Sequence, residues 1–180
     1  MLIDIGKETT GVSIFLNGNI LNSFNFPFGG DDLTQALQEN LKILFDEAEE
    51  MKIKYGLTGK SEITNILLSK IETALEDIYK KIEPFLKNKK NLPPVIAIGG
   101  SSKMDGLIEI IEKAFNIPVS MRSLESGGKI SDTTFACSLG LMKYGAKKII
   151  SERACASMTA SSGFPYRVVN KIRSIVSEYF

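Results

Sequence analysis

Val95, Ile96, Ala97 and Ile98 form an unbroken apolar run that ends on Gly99-Gly100, and no other stretch narrows the fold as much. A strand with one face in water alternates apolar and polar residues. A run that is apolar at every position is expected of a strand buried on both faces, as in the parallel sheets of α/β proteins. Glycines directly after it allow a close turn into a helix. A chain of 180 residues is long enough to enclose one such sheet with its helices.

The neighbouring periodicities supply the other elements. Residues 2–5, 12–16 and 20–26 read as short strands, and Asn17-Gly18 is a two-residue hairpin signal. Residues 27–30 (Pro-Phe-Gly-Gly) break the pattern. Asp31 or Asp32 is expected to cap the next helix, with Gln35 at capping-box spacing from Asp32. Leu33, Ala36, Leu37, Leu41 and Leu44 recur at helical spacing, and Asp46 with Glu49 marks a second helix that stops at Tyr55-Gly56. Ile63, Ile66, Leu67, Ile71, Leu75, Ile78 and Ile82 share one face of a third helix over 62–86, closed by lysines 87–90 and Pro93-Pro94. After the apolar run come a helix over 104–115, a strand over 119–121 and a Gly/Ser loop over 124–131. A last helix, capped by Asp132, is expected to end at Gly145. The order β-β-β-α-α-α-β-α-β-α predicts a mixed sheet with helices on its faces. It occupies residues 1–150, with 45–90 as a small helical subdomain.

Composition excludes several chemistries. The chain has no histidine, and its two cysteines, Cys137 and Cys155, do not form a CxxC pair. His-based triads and most zinc sites are thereby removed, no metal ligands are assigned, and a reduced cytoplasmic protein is expected. A net charge of +1 gives no electrostatic footprint for nucleic acid. Asp4, Lys7 and Glu8 interrupt any signal peptide, and no stretch reaches the roughly 20 apolar residues of a transmembrane helix.

The tail reads differently. Residues 151–163, rich in Ser, Ala and Thr, are expected as a linker or frayed helix, and 164–180 as an amphipathic helix. Val168, Val169, Ile172, Ile175, Val176, Tyr179 and Phe180 fall within roughly 140° of a helical wheel. Arg167, Lys171 and Arg173 lie on the polar side. Such a helix either docks on its own core or lies in the interface of an anionic membrane.

Three stretches could carry chemistry. Residues 4–10 (Asp-Ile-Gly-Lys-Glu-Thr-Thr) form a turn between strands that could offer backbone N–H groups and hydroxyls to a phosphate. Gly99-Gly100-Ser101-Ser102 joins a strand to a helix and could approach a polar ligand closely. Glu49 and Lys52 stand three apart on one helix face. Each also has a plain reading: a β-turn, a bare β-α turn, and a solvated ion pair worth a few tenths of a kcal/mol.

In this order the three stretches resemble the second domain of the actin-like ATPase superfamily (a ribonuclease H-like fold). Asp4, Gly6, Thr9 and Thr10 resemble its phosphate hairpin, Glu49 and Lys52 its ribose pair, and Gly99, Gly100 and Ser101, with Lys103 beyond, its adenosine turn. The resemblance implies ATP and magnesium as cofactors. Within the superfamily the chain is most similar to the FtsA family of bacterial cell-division proteins. Residues 27–34 look like that family's post-hairpin segment, residues 47–56 are similar to its D-A-E-x-x-K helix, and residues 135–145 resemble its A-x-G-L-x-x-Y helix.

That resemblance implies a self-associating cytoskeletal adaptor acting at the septum. It would tether FtsZ-type filaments to the inner face of the cell membrane as a peripheral protein. Val168, Val169, Lys171, Ile172, Arg173, Ile175, Val176, Tyr179 and Phe180 would form its anchor. The alternatives are a pilus-assembly protein of the PilM branch, or a fragment of an ATP-dependent kinase or activator. Lys7-Glu8 stands where the family usually carries Gly-Gly, and Gly11 where it carries an acid. The connector over 56–61 is short. With no first-domain hairpin before Leu2, the chain reads as a fragment or split gene product, expected not to be an ATPase and to bind ATP only together with a first domain. Phe135, Leu139 and Leu141 are expected to form an exposed apolar patch.

Overall fold

The computed structural model describes residues 1–59, 61–86, 94–121, 124–126 and 129–156. They divide into two units, Met1–Arg122 and Ser123–Phe180.

In the first unit β1 (Leu2–Ile5), β2 (Thr10–Leu16) and β3 (Asn19–Phe26) make an antiparallel meander. Asn17 and Gly18 both take left-handed φ, as a two-residue hairpin turn requires. Then follow α1 (Gly30–Leu41), α2 (Phe45–Tyr55), α3 (Glu62–Leu86), β4 (Val95–Ile98), a 3-10 turn at Ser101–Lys103, α4 (Leu107–Phe115) and β5 (Val119–Met121). The strand order is β3-β2-β1-β4-β5, with β4 parallel to both of its neighbours. The apolar run therefore lies inside the sheet, as its composition predicts, and Val95, Ala97 and Ile98 are buried.

One core joins sheet and helices. Ile3 and Ile5 alternate inward on β1, and Val12 and Ile14 on β2. Against them pack Leu33 and Leu37 of α1, then Leu67, Ile71, Leu75, Ile78 and Ile82 of α3, and Leu107, Ile111 and Phe115 of α4. The helical spacing of those positions is what puts them on one face. Ile63 and Ile66, expected on the same face, are partly buried at its margin. β3 is an edge strand that buries only Phe26.

Local capping departs from expectation. Gly29, not an aspartate, precedes the first turn of α1, and Asp32 reaches back to accept the Gly29 N–H at 2.9 Å. Gln35 instead donates to Glu39 along the exposed side of the helix. The helix ends at Leu41 rather than Leu44, because Lys42 takes a left-handed conformation. The helix expected over 104–115 begins only at Leu107.

In the second unit β6 (Leu124–Ser126) pairs antiparallel with β7 (Lys129–Ser131), where a loop is expected from composition. Gly127-Gly128 in the sequence separates the two runs by the two residues that a hairpin needs. A 3-10 turn at Thr133–Phe135 follows, capped by Asp132, whose Oδ1 accepts from the Thr134 N–H and hydroxyl. The last described element, α5, runs over Ala136–Ala156 and so passes the expected stop at Gly145. A glycine inside a helix costs only about 1 kcal/mol relative to alanine, and the residues after it are good helix formers. Phe135 and Leu141 are exposed and Leu139 is half-buried.

Residues 151–156 of the expected linker are helical, as the end of α5, and the rest lies outside the described residues from 157 onward. So do all nine proposed anchor residues, Val168, Val169, Lys171, Ile172, Arg173, Ile175, Val176, Tyr179 and Phe180. Among the described residues no helix is long and apolar enough to cross a membrane.

Candidate functional site

The turn between β1 and β2 is held from three directions. Gly6 donates its N–H to the Thr9 carbonyl at 2.9 Å. Its own carbonyl accepts the Gly30 N–H at 3.0 Å and the Ser101 hydroxyl at 2.8 Å. The Lys7 carbonyl accepts the Asp31 N–H at 2.8 Å. Helix N-termini leave backbone donors without intrahelical partners. Here the turn's carbonyls satisfy two of them, which seats α1 against the turn, while Ser101, 95 residues away in sequence, ties down the β4–α4 connection.

Gly99 completes the junction. Its φ is +93°, and a Cβ there would lie 2.4 Å from the Ile5 carbonyl oxygen and 2.5 Å from Asp4 Oδ1. Only glycine fits both the conformation and the space. Thr10 is buried and donates its hydroxyl to the Phe28 carbonyl at 2.8 Å, while Thr9 is exposed. Residues 6–8 take no positive φ, so the side chains of Lys7 and Glu8 are accommodated without backbone strain.

The Glu49–Lys52 pair is not a solvated one. Lys52 is buried, with its side chain 8% exposed, and its ammonium reaches across to α1. Nζ donates to Glu49 Oε2 at 2.6 Å, to Thr34 Oγ1 at 2.8 Å and to the Gly30 carbonyl at 2.9 Å. Thr34, itself buried, lies within hydrogen-bond reach of both Glu49 Oε2 and the Gly30 carbonyl at 3.1 Å. Its one proton goes to the carboxylate, the stronger acceptor.

Partial burial pushes the Glu49 carboxyl upward. Hydrogen bonds from Lys52 and Thr34, with the positive charges of Lys52 and Lys7, outweigh this and hold it below the ordinary value. Glu49's contribution to stability is full above its unfolded value and is lost as pH falls through the lower folded value. In acid titrations of urea stability, Glu49→Gln is expected to flatten this segment of the profile; an unchanged profile would contradict the assignment.

Lys7, Glu49, Lys52, Gly100, Ser101 and Lys103 line one open cavity of about 650 Å³. Asp4, Gly6, Thr9, Thr10 and Gly99 do not line it; Asp4 pairs with Ile98 of β4, Gly99 packs against Ile5 and Asp4, and the Gly6 carbonyl accepts from Ser101. Phe45, Ile53 and Met104 give the cavity an apolar side that the sequence reading did not assign. Their signal was present: Phe45, Glu49, Lys52 and Ile53 are spaced to share one face of α2. The charged lining comprises Lys7, Lys52 and Lys103 against Asp31, Asp46, Glu49 and Asp105. Lys7 and Asp31 approach to 3.7 Å. A polyphosphate would meet more carboxylates than ammonium groups here and would need a divalent countercharge. Among the described residues, no cluster of three or more acidic or cysteine side chains could itself hold a metal ion.

A family model described as cell division protein FtsA matches residues 1–140. The chain is 27% identical over 176 residues to the cell division protein FtsA of Neisseria meningitidis, covering 81% of this chain and 42% of that one. It is likewise 27% identical over 175 residues to that of Pseudomonas aeruginosa, covering 82% and 42%. It thus spans about two fifths of the length of these curated relatives.

Among solved structures, the ethanolamine utilization protein EutJ of Carboxydothermus hydrogenoformans is similar at 29% identity and a TM-score of 0.56, covering 67% of this chain and 42% of that one. MreB 5 of Spiroplasma citri bound to AMPPNP is similar at 19% identity and a TM-score of 0.62, covering 84% and 54%. These likenesses identify the mixed sheet with its helices as the actin-like ATPase fold.

Proposed function

This chain belongs to the FtsA family of cell division proteins, and we propose that it supplies one wall of a nucleotide cleft in a cell-division adaptor. The observation that carries the reading is the convergence of Lys7, Glu49, Lys52, Gly100, Ser101 and Lys103 on one cavity, from turns and helices far apart in sequence. The residues present fit an adenosine. Phe45, Ile53 and Met104 offer apolar contact to a base, Glu49 offers a carboxylate to sugar hydroxyls, and Gly100 leaves room for close approach. Magnesium would supply the countercharge that the carboxylate-rich lining calls for. These residues bind and orient; the reading assigns them no catalytic step.

Family membership favours cell division over the pilus-assembly and kinase or activator alternatives. In the proposed role the adaptor lies at the inner face of the cell membrane, self-associates and recruits an FtsZ-type filament. Its segment 164–180 would lie on anionic lipid through Val168, Val169, Ile172, Ile175, Val176, Tyr179 and Phe180, flanked by Lys171 and Arg173. One short amphipathic helix binds weakly, so self-association would add avidity.

Calorimetric titration of Mg-ATP into the full chain tests the cleft. The sequence alone predicts that ATP binds only together with a first domain, whereas the cavity of this unit is proposed to suffice for weak binding: saturable binding that weakens when magnesium is withheld is expected, and no binding at all would overturn that proposal. Sedimentation with anionic vesicles, with and without residues 164–180, tests the tether; equal sedimentation of the two would dispose of it.

A further inference from the structure

We propose that Thr34 is a positioning residue for Glu49, and that Lys52 acts through Glu49 rather than on the ligand. The proposal rests on the nucleotide reading above and concerns how the sugar is recognised.

An ammonium has three N–H donors, and Lys52 directs all three at protein acceptors: Glu49 Oε2, Thr34 Oγ1 and the Gly30 carbonyl. A ligand seeking that ammonium would have to displace one of these bonds from a buried side chain. Thr34 is wholly buried, receives one Lys52 proton and gives its own to Glu49 Oε2. Oε2 therefore accepts twice and is consumed.

Glu49 Oε1 accepts no hydrogen bond among the described residues, on a side chain 37% exposed that lines the cavity. The network thus fixes the carboxylate by one oxygen and presents the other. A carboxylate oxygen accepts and does not donate, so it favours a ligand's hydroxyl groups and repels its phosphates. The matching ligand feature is the vicinal diol of a ribose. Sugar selectivity should accordingly depend on the Thr34 hydroxyl, although that hydroxyl touches no ligand.

The test compares Mg-ATP with Mg-2′-dATP by titration calorimetry on the full chain, in the natural protein, in Thr34→Val and in Thr34→Ser. The natural protein is expected to prefer the ribonucleotide about tenfold, the worth of one charge-assisted hydrogen bond. Thr34→Val keeps the shape, loses the hydroxyl and should bring the ratio near one. Thr34→Ser should restore it. Thr34→Cys, with a weaker donor of similar size, carries the same comparison should the valine variant not fold. The Glu49 carboxyl titration, followed by carbon NMR without nucleotide, is a second readout: it should rise in Thr34→Val and return in Thr34→Ser.

Unchanged sugar selectivity in Thr34→Val, or an unmoved Glu49 titration, would overturn the positioning role. A natural protein that binds neither nucleotide, while Glu49 still responds to Thr34, would instead overturn the nucleotide reading and leave Thr34 as the residue that sets Glu49.

Discussion

Replacing Gly99 by alanine is expected to destabilise the chain by about 3–4 kcal/mol, with Tm lowered by roughly 6–16 °C for a protein of this size. Two effects add. The residue sits at a φ of +93°, where an L side chain is strained, and its new Cβ would lie within 2.5 Å of Ile5 and Asp4. The Ile5 carbonyl cannot yield easily, because it is backbone of a strand paired on both sides. Gly100 provides the internal control. It has a helical φ of −64° and nothing within 4 Å of its Cβ position, so Gly100→Ala should leave stability within about 0.5 kcal/mol. Urea unfolding of the two variants side by side checks this, and equal losses would contradict the geometry of the junction.

Lys52→Met carries the second large effect, about 2–3 kcal/mol. Breaking a buried ion pair from one side costs about 3–5 kcal/mol because the remaining charge is left unpaired. The lower value is expected here, since Glu49 is partly exposed and water can reach it. A solvated pair three apart on a helix would lose only a few tenths of a kcal/mol, so the magnitude separates the two descriptions. A fall in the urea midpoint without change of slope is the expected signature. Glu49→Gln should be milder, because an amide oxygen still accepts from Lys52 and Thr34. Lys52→Met should also weaken nucleotide binding by releasing Glu49, although the donors of its own ammonium are all taken by protein acceptors.

Much of the fold was legible because periodicity reports which face of an element is buried. Leu67, Ile71, Leu75, Ile78 and Ile82 announced the inner face of α3, and all five are buried. Asn17-Gly18 placed the hairpin, and Val95–Ile98 placed a strand with parallel neighbours on both sides. Apart from the β6–β7 hairpin, which was expected as a loop, errors gathered at element ends, where one hydrogen bond decides. Asp32 caps from inside the helix rather than before it, Lys42 stops α1 early, and α5 runs through Gly145.

The site was legible in its parts but not in its connections. Glu49 and Lys52 could be singled out as a pair, yet the spacing could not show that Thr34 and the Gly30 carbonyl share the same ammonium, the latter from 22 positions away. Phe45 and Ile53 lay on the same helical face, but only the cavity made them neighbours of Ser101 and Met104.

By itself, then, the sequence determined the order of elements from β1 to β5 and the inward face of the long helices, because both follow from repeat patterns within a few residues. Tertiary packing alone decided that Gly6, Gly30 and Ser101 meet at one carbonyl, that Gly99 is indispensable where Gly100 is not, and that Lys52 is buried. Those outcomes depend on distances between residues remote in the chain, and local periodicity carries no information about such distances.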